Sequence, residues 1–379
     1  MAQKNNTPLT IHMRMTKACN ADCSYCSSWQ ESPDNRMSFN DFKESIDQTI
    51  LLTKKINLGT THVYLQYIGG EILTYSLEEL TRCVEYARVT FIRHGYIVLD
   101  GAQSNLIGSN RRVKGLFKLF QGRVGTSIDS FSGARTVNGN NDQYNLIFST
   151  RDTEVHNGIG LTPAVYTFDS SMLDNVMKEF KKAERDRRNL TVKGVFFGGK
   201  EVDKLSPEIY EKVMMELLSE WFLNSKVILE PFFSLLQKHL FNNHQVAGVD
   251  SSESCHFQAN CASRSMNVEP NGDLYVCQDL ADKGVGRLGN LLRNEFDGKE
   301  WEKINKRSEN LNSDCLECDF LKSCQSGCMV DAIESGAGIY GKSPYCSLWK
   351  STFRLFDLKI EEEGISEVER WTKRLSATR

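Results

Sequence analysis

The chain has 379 residues, 40% of them apolar, with 46 Lys and Arg against 49 Asp and Glu. This length predicts one large domain plus an appended module, and the balanced charge gives no broad electrostatic reason to bind nucleic acid or an anionic membrane surface. No segment approaches the run of ~20 apolar residues that spans a bilayer. The start MAQKNNTPLT has neither the basic beginning nor the apolar middle of a signal peptide, so a soluble, cytoplasmic protein is expected.

In chain order, residues 9–15 (LTIHMRM) predict a strand that leads straight into Cys19, Cys23 and Cys26. Ser38, with Asp41 three residues on, resembles a capping box and begins a helix through the 40s and 50s. Residues 61–68 (THVYLQYI) read as a buried strand followed directly by Gly69-Gly70-Glu71, and Ser76 caps the next helix, with Glu79 three residues on. The pattern repeats, with strands near 96–101, 123–128, 161–168 and 191–197 and helices near 110–120, 141–152 and 170–186. Six strands alternating with helices predict an α/β fold of parallel βαβ units, either an open barrel or a doubly wound sheet.

Beyond residue 200 the rhythm changes. Ser206-Pro207 starts a helix, and helical segments continue to about 243. Residues 250–346 are loop-rich and Cys-rich. Within them SMNVEPNGDLYVC predicts a hairpin, with Asn271-Gly272 as a two-residue turn at positive φ. A final amphipathic helix is expected over 350–375, and the domain boundary between 235 and 255.

The twelve cysteines are the anomaly, since in a long chain without secretory signals such density points to metal or catalysis rather than disulfides. Cys19-x3-Cys23-x2-Cys26 puts three thiolates on one short loop, one fewer than a [4Fe–4S] cluster or a structural zinc takes. Either a fourth iron stays open to a small molecule or a zinc borrows a distant His. CNADCSYC resembles the CxxxCxΦC signature of radical S-adenosylmethionine (SAM) enzymes, with Tyr25 at the aromatic position.

That resemblance implies a partial (β/α)6 barrel whose signature loop follows the first strand. It also implies that Gly69-Gly70-Glu71, after the second strand, receives the amino group of the cofactor's methionine. Ser127-Ile128-Asp129 looks like the family's Ser-Leu/Ile-Asp motif, which helps hold the cofactor, and Ser104-Asn105 partly matches its Thr-Asn-Gly. The implied chemistry is reductive cleavage of SAM to a 5′-deoxyadenosyl radical that abstracts a hydrogen atom from a bound substrate.

The remaining spacings, Cys255-x5-Cys261-x10-Gly272-x4-Cys277 and Cys315-x2-Cys318-x5-Cys324-x3-Cys328 with a last Cys346, look like the SPASM module. A zinc ribbon is the alternative reading of the CxxC and CxxxC pairs. The SPASM resemblance implies two further [4Fe–4S] clusters, the first held by Cys255, Cys261, Cys277 and Cys328 and the second by Cys315, Cys318, Cys324 and Cys346. Three clusters then account for every cysteine but Cys83, which is expected to be buried and apolar on the second helix. The implied organisation is a barrel over 1–235, a SPASM domain with a helical bridge over 236–349 and a C-terminal helix over 350–379.

Enzymes of this two-part type mostly modify peptides. Sulfatase-maturating members carry an Asp base directly after the third cysteine of the first auxiliary cluster. Here Gln278 stands there and Asp279 follows, which favours a maturase that cross-links a ribosomally made peptide. Ser or Cys oxidation of the sulfatase type, oxidation or epimerisation of a small molecule such as an aminosugar, and a non-catalytic electron-transfer scaffold are the alternatives. The first strand begins near residue 9 and leaves no room for a fused leader-peptide-binding domain. Asp279 and Glu230 are the acids expected to move protons near substrate, and an electron donor such as flavodoxin or ferredoxin is the implied partner.

Overall fold

The computed structural model describes residues 8–26, 35–56, 58–156, 161–195, 205–246 and 257–377. Cys255 and the end of the strand expected over 191–197 lie outside them.

The strands are β1 (Leu9–Arg14), β2 (Asp22–Cys23), β3 (His62–Ile68), β4 (Ile97–Gln103), β5 (Val124–Ser127), β6 (Arg135–Thr136), β7 (Ala164–Phe168), β8 (Leu190–Gly194), β9 (Leu229–Glu230), β10 (Ser265–Val268), β11 (Asp273–Tyr275), β12 (Gly289–Asn290) and β13 (Glu295–Phe296). The six expected strands lie side by side as β1-β3-β4-β5-β7-β8, all parallel, and short β9 adds to β8 in the same sense. In this register Ile11 faces Leu65, Tyr64 faces Leu99 and Tyr166 faces Val192. β2 and β6 form a separate two-residue antiparallel pair.

Helices α1 (Phe39–Lys55), α2 (Leu77–Arg93), α3 (Asn110–Leu119), α4 (Asn141–His156), α5 (Leu173–Arg185), α6 (Pro207–Trp221) and α7 (Phe232–His244) occupy the connections. Their starts follow the sequence signals. The hydroxyls of Ser38, Ser76 and Ser206 accept from the amides of Asp41, Glu79 and Ile209, each contact satisfying an otherwise orphaned N–H for about 1 kcal/mol. On α2 the buried residues Leu80, Cys83, Val84, Ala87 and Phe91 recur at helical spacing, so Cys83 is an apolar packing residue. Burial pushes its thiol up to about 12.

The C-terminal module shares the barrel's own sheet. β10 pairs in parallel with β1, setting Ile11 opposite Met266, and β11, β12 and β13 continue outward as antiparallel strands. One hydrophobic core accordingly contains Leu9, Ile11 and Leu65 together with Met266, Val268 and Leu274. A second joins Tyr166, Phe168, Trp221 and Phe232 to Phe353, Phe356 and Trp371.

Two local expectations are corrected. The β10–β11 turn is not a two-residue turn. The Gly272 amide bonds the Glu269 carbonyl, the Glu269 amide bonds the Asp273 carbonyl, and only Gly272 takes positive φ, at 84°. Pro270 explains this, because its ring fixes negative φ and favours an ordinary turn closed by one left-handed glycine. The final helix is also two helices, Cys346–Glu363 and Ile365–Ser376, divided at Gly364 with φ 83°.

Candidate active site

The chain leaves β1 and passes beneath the end of β3. The Gly70 amide bonds the Thr16 carbonyl at 2.8 Å and the Glu71 amide bonds the Ala18 carbonyl at 2.8 Å. This close approach explains both glycines. A Cβ on Gly69 would lie 2.7 Å from the Thr16 carbonyl oxygen, and one on Gly70 would run into the carbonyls of Lys17 and Ala18. Gly69-Gly70 is therefore the backbone seat of the Cys19–Cys26 loop rather than an ordinary turn.

Glu71 is buried and held from three sides, by the Leu73 amide at 2.8 Å, the Ser104 hydroxyl at 2.7 Å and the Asn105 amide at 2.6 Å. Burial raises its carboxyl above the ordinary value while these donors pull it down. Asn105 also reaches the cysteine loop, its Nδ2 donating to Asn20 Oδ1 at 2.9 Å. The next residue, Leu106, takes left-handed φ of 60°, secured where the Ser104 hydroxyl accepts its amide at 3.0 Å. Holding a non-glycine there costs roughly 1–3 kcal/mol, which the surrounding contacts must offset.

At the loop's far end β2 pairs with β6, placing Cys23 opposite Arg135. Arg135, 6% exposed, donates to the Tyr25 hydroxyl at 2.9 Å and to the Tyr144 hydroxyl at 2.7 Å. The aromatic position of the signature is thus anchored by an arginine that the sequence did not single out.

These elements enclose one wall of a cavity of about 1370 Å³, continuous with solvent, at the C-terminal ends of the parallel strands. Cys19, Cys23, Cys26, Tyr25, Gly69, Gly70, Glu71, Ser104 and Ser127 all line it, so the structure brings together most residues expected from the motifs. It adds His12, Gln66, Gln103, Asn105, Arg135, Thr167 and Lys193. Several of these are strand residues whose side chains point into the barrel, a placement that needs the strand pairing to see. Burial, then the Arg14 charge, lowers His12 to about 4, and its Nδ1 finds no hydrogen-bond partner among the described residues.

Asp129 does not line the cavity. Its carboxylate accepts from the amides of Ser132 and Ala134, both at 2.9 Å, and shapes the turn whose Ala134 carbonyl receives the Ser24 amide. Glu230 is also absent from the lining, because its carboxylate takes the amide and hydroxyl of Ser234 at 3.1 and 2.8 Å in the first turn of α7. Gln278 reaches the cavity, while neighbouring Asp279 does not. Burial raises the Asp279 carboxyl, and Lys193 opposes that most strongly.

Among the described residues no two cysteines are joined by a disulfide. Cys315, Cys318, Cys324 and Cys346 surround a second cavity of about 390 Å³, completed by Phe320, Trp349 and Phe353. Four thiols around one cavity can hold a fully ligated [4Fe–4S] cluster or a zinc. Cys261, Cys277 and Cys328 each pack against the first core, and Cys328 also touches the second. Beside the second cavity two histidines meet on one acid. His239 Nε2 and His244 Nε2 lie 2.7 and 2.9 Å from Asp357 Oδ1.

No family model matches the chain. Among solved structures it superposes on anSMEcpe with bound AdoMet, an anaerobic sulfatase-maturating radical SAM enzyme, with TM-score 0.73 and 18% identity over 97% of this chain and 98% of that one. The chain shares the fold of that enzyme. The same protein with AdoMet and Kp18Cys peptide gives 0.72 at 19% identity, covering 96% and 99% of the two chains. Streptococcus suis SuiB bound to its precursor peptide SuiA gives 0.54 at 16% identity, over 90% of this chain and 74% of that one. Among the described residues no helix of this fold is long and apolar enough to cross a membrane.

Proposed function

We propose that the chain is a radical SAM peptide maturase with three [4Fe–4S] clusters that removes a side-chain hydrogen from a ribosomally made peptide and closes an intramolecular cross-link. The cavity carries this reading, because it sets the Cys19–Cys26 thiols and Glu71 against Gln278 of the C-terminal module and leaves no acid directly after Cys277. Its residues fit the groups the reading needs. Three thiols on one loop leave a cluster one ligand short, and four around the second cavity complete one.

Cys19, Cys23 and Cys26 would hold the catalytic cluster, and Tyr25, Gly69, Gly70, Glu71, Ser104 and Ser127 would hold SAM. Asp129 would act indirectly, through its turn. Cys255, Cys261, Cys277 and Cys328 would hold the first auxiliary cluster, and Cys315, Cys318, Cys324 and Cys346 the second. When bound, the reduced catalytic cluster and SAM supply the 5′-deoxyadenosyl radical that abstracts hydrogen. The chain's own residues do the positioning. Gly69 and Gly70 seat the cysteine loop, and Arg135 fixes Tyr25. Lys193 lines the cavity and its charge acts on Asp279, the acid proposed to accept a proton. Glu230 is assigned no proton transfer, since its carboxylate caps α7. A flavodoxin or ferredoxin would supply the electrons.

Incubating reduced enzyme, SAM and a precursor peptide encoded nearby should give a product lighter by two hydrogens, with fragment ions missing between the joined residues. An unchanged peptide mass beside consumed SAM would sink the proposal. Ser or Cys oxidation of the sulfatase-maturating type is the second reading, favoured by the match to anSMEcpe over nearly the full length of both chains. It also removes two hydrogens but leaves every fragment ion present, so the same spectrum separates the two.

A further inference from the structure

Arg307 is fully buried, at 0% exposure, yet it forms no ion pair with any carboxylate among the described residues. Its guanidinium is spent on main-chain carbonyls, donating to Ile339 at 2.9 Å, Ser326 at 3.2 Å, and Gln258 and Gly327 at 3.3 Å. Those carbonyls belong to the loops that carry the cysteines. Ser326 and Gly327 lie between Cys324 and Cys328, in a stretch where Gln325, Ser326 and Gly327 all take left-handed φ. The Gln258 carbonyl accepts from the Cys261 thiol at 3.2 Å. The Ser326 hydroxyl in turn lies 3.3 Å from the Cys315 sulfur, so the guanidinium sits among the segments that carry Cys261, Cys315, Cys324 and Cys328, two from each proposed auxiliary cluster. Burial lowers the Arg307 value, and thiolates at those four positions would oppose that. Asp331 feels the Arg307 charge but stays beyond ion-pair distance.

Lys238 repeats the arrangement. It is 7% exposed, and its ammonium donates to the Phe257 carbonyl at 2.5 Å. Burial lowers its value to about 8, and thiolates at Cys324 and Cys261, again one from each set, would oppose that shift. An isolated buried cation is strongly disfavoured, and natural proteins pair it. Here the available counter-charge is cysteine sulfur.

We propose that Arg307 and Lys238 form a buried cationic bridge between the two auxiliary clusters and raise the reduction potentials of both. The inference rests on the three-cluster reading above. A cluster with four thiolates carries net negative charge and gains another on reduction. A fixed cation nearby in a low-dielectric interior favours the reduced form, and net charge is one of the levers that set cluster potential. Because each cation faces ligands of both clusters, losing either one lowers both potentials together.

The test uses the full-length chain carrying Cys19→Ala, Cys23→Ala and Cys26→Ala, reconstituted anaerobically, with iron analysis and EPR-monitored redox titration. This parent should hold about eight irons and show two auxiliary midpoints. Arg307→Met and Lys238→Met should each weaken reduction of both clusters at least tenfold, a 59 mV fall for one electron. Arg307→Lys, which keeps the charge, should shift both midpoints less. Unchanged midpoints with iron retained in both Met variants would overturn the proposal. If Arg307→Met fails to fold or loses iron, Lys238→Met decides alone, a joint downward shift supporting the bridge and no shift refuting it. A parent that binds zinc, or holds far fewer irons, refutes the cluster reading itself and takes the bridge with it.

Discussion

Lys17 Nζ lies 2.7 Å from Glu269 Oε2, and both side chains are buried. The pair joins the segment entering the Cys19 loop to the turn that precedes Cys277, and Arg14 shares Glu269 at 3.3 Å and also meets Asp282. Removing one member of a buried ion network strands the others in a low-dielectric interior, which costs more than the pair itself contributes. Glu269→Ala should destabilise the protein by roughly 3–5 kcal/mol, read as a lower denaturation midpoint at unchanged slope. A loss under about 0.5 kcal/mol would place the pair with ordinary surface contacts.

Gly70→Ala tests the seat of the cysteine loop. The added methyl meets the carbonyls of Lys17 and Ala18, main-chain atoms that cannot rotate aside. The loop must shift, and iron should fall from about twelve to about eight per chain, the auxiliary clusters remaining. Full iron loading in the variant would show that the loop tolerates displacement.

Ser104→Ala removes one of three donors to the buried Glu71 carboxylate. The unmet acceptor costs about 1–2 kcal/mol, so SAM affinity measured by equilibrium dialysis should weaken roughly 5–30-fold. Ser104→Thr, which keeps the hydroxyl, should recover most of it.

His12 makes stability depend on pH. Its folded value of about 4 lies below the ordinary 6.5, so between those values the unfolded chain binds the extra proton. Its contribution is whole above pH 6.5 and is lost as pH falls towards 4, by roughly 1–3 kcal/mol. His12→Asn should flatten that part of the stability profile. An identical profile in wild type and variant would mean that His12 takes up its proton alike in the folded and unfolded states.

The cysteine loop, Gly69-Gly70-Glu71 and Ser104 were legible because each follows a strand, and parallel strands bring their C-terminal ends together. Helix starts were legible because serine caps act locally. Arg135, His12 and Lys193 were not, since their membership of the cavity depends on strand register and on a pairing between residues 22–23 and 135–136. Asp129 and Glu230 show the opposite failure. Each has the chemistry and place in sequence of a site residue, yet a nearby backbone amide claims each carboxylate. The break at Gly364 was hidden because amphipathic spacing continues on both sides of it.

The parallel pairing of β1 with β10 sets Thr10 beside Ser265, residues separated by 255 positions. A nascent chain therefore exposes the outer edge of its first strand until the ribosome has passed Ser265, roughly ten to fifty seconds later at ~5–20 residues per second. During that interval the barrel is an open ribbon with an unguarded β-edge beside its first three thiols, a natural docking point for a chaperone or a cause of aggregation. Extension of the sheet past β1 and completion of the auxiliary cysteine set thus become late, linked events, and expression at lower temperature or with slower initiation should favour soluble protein.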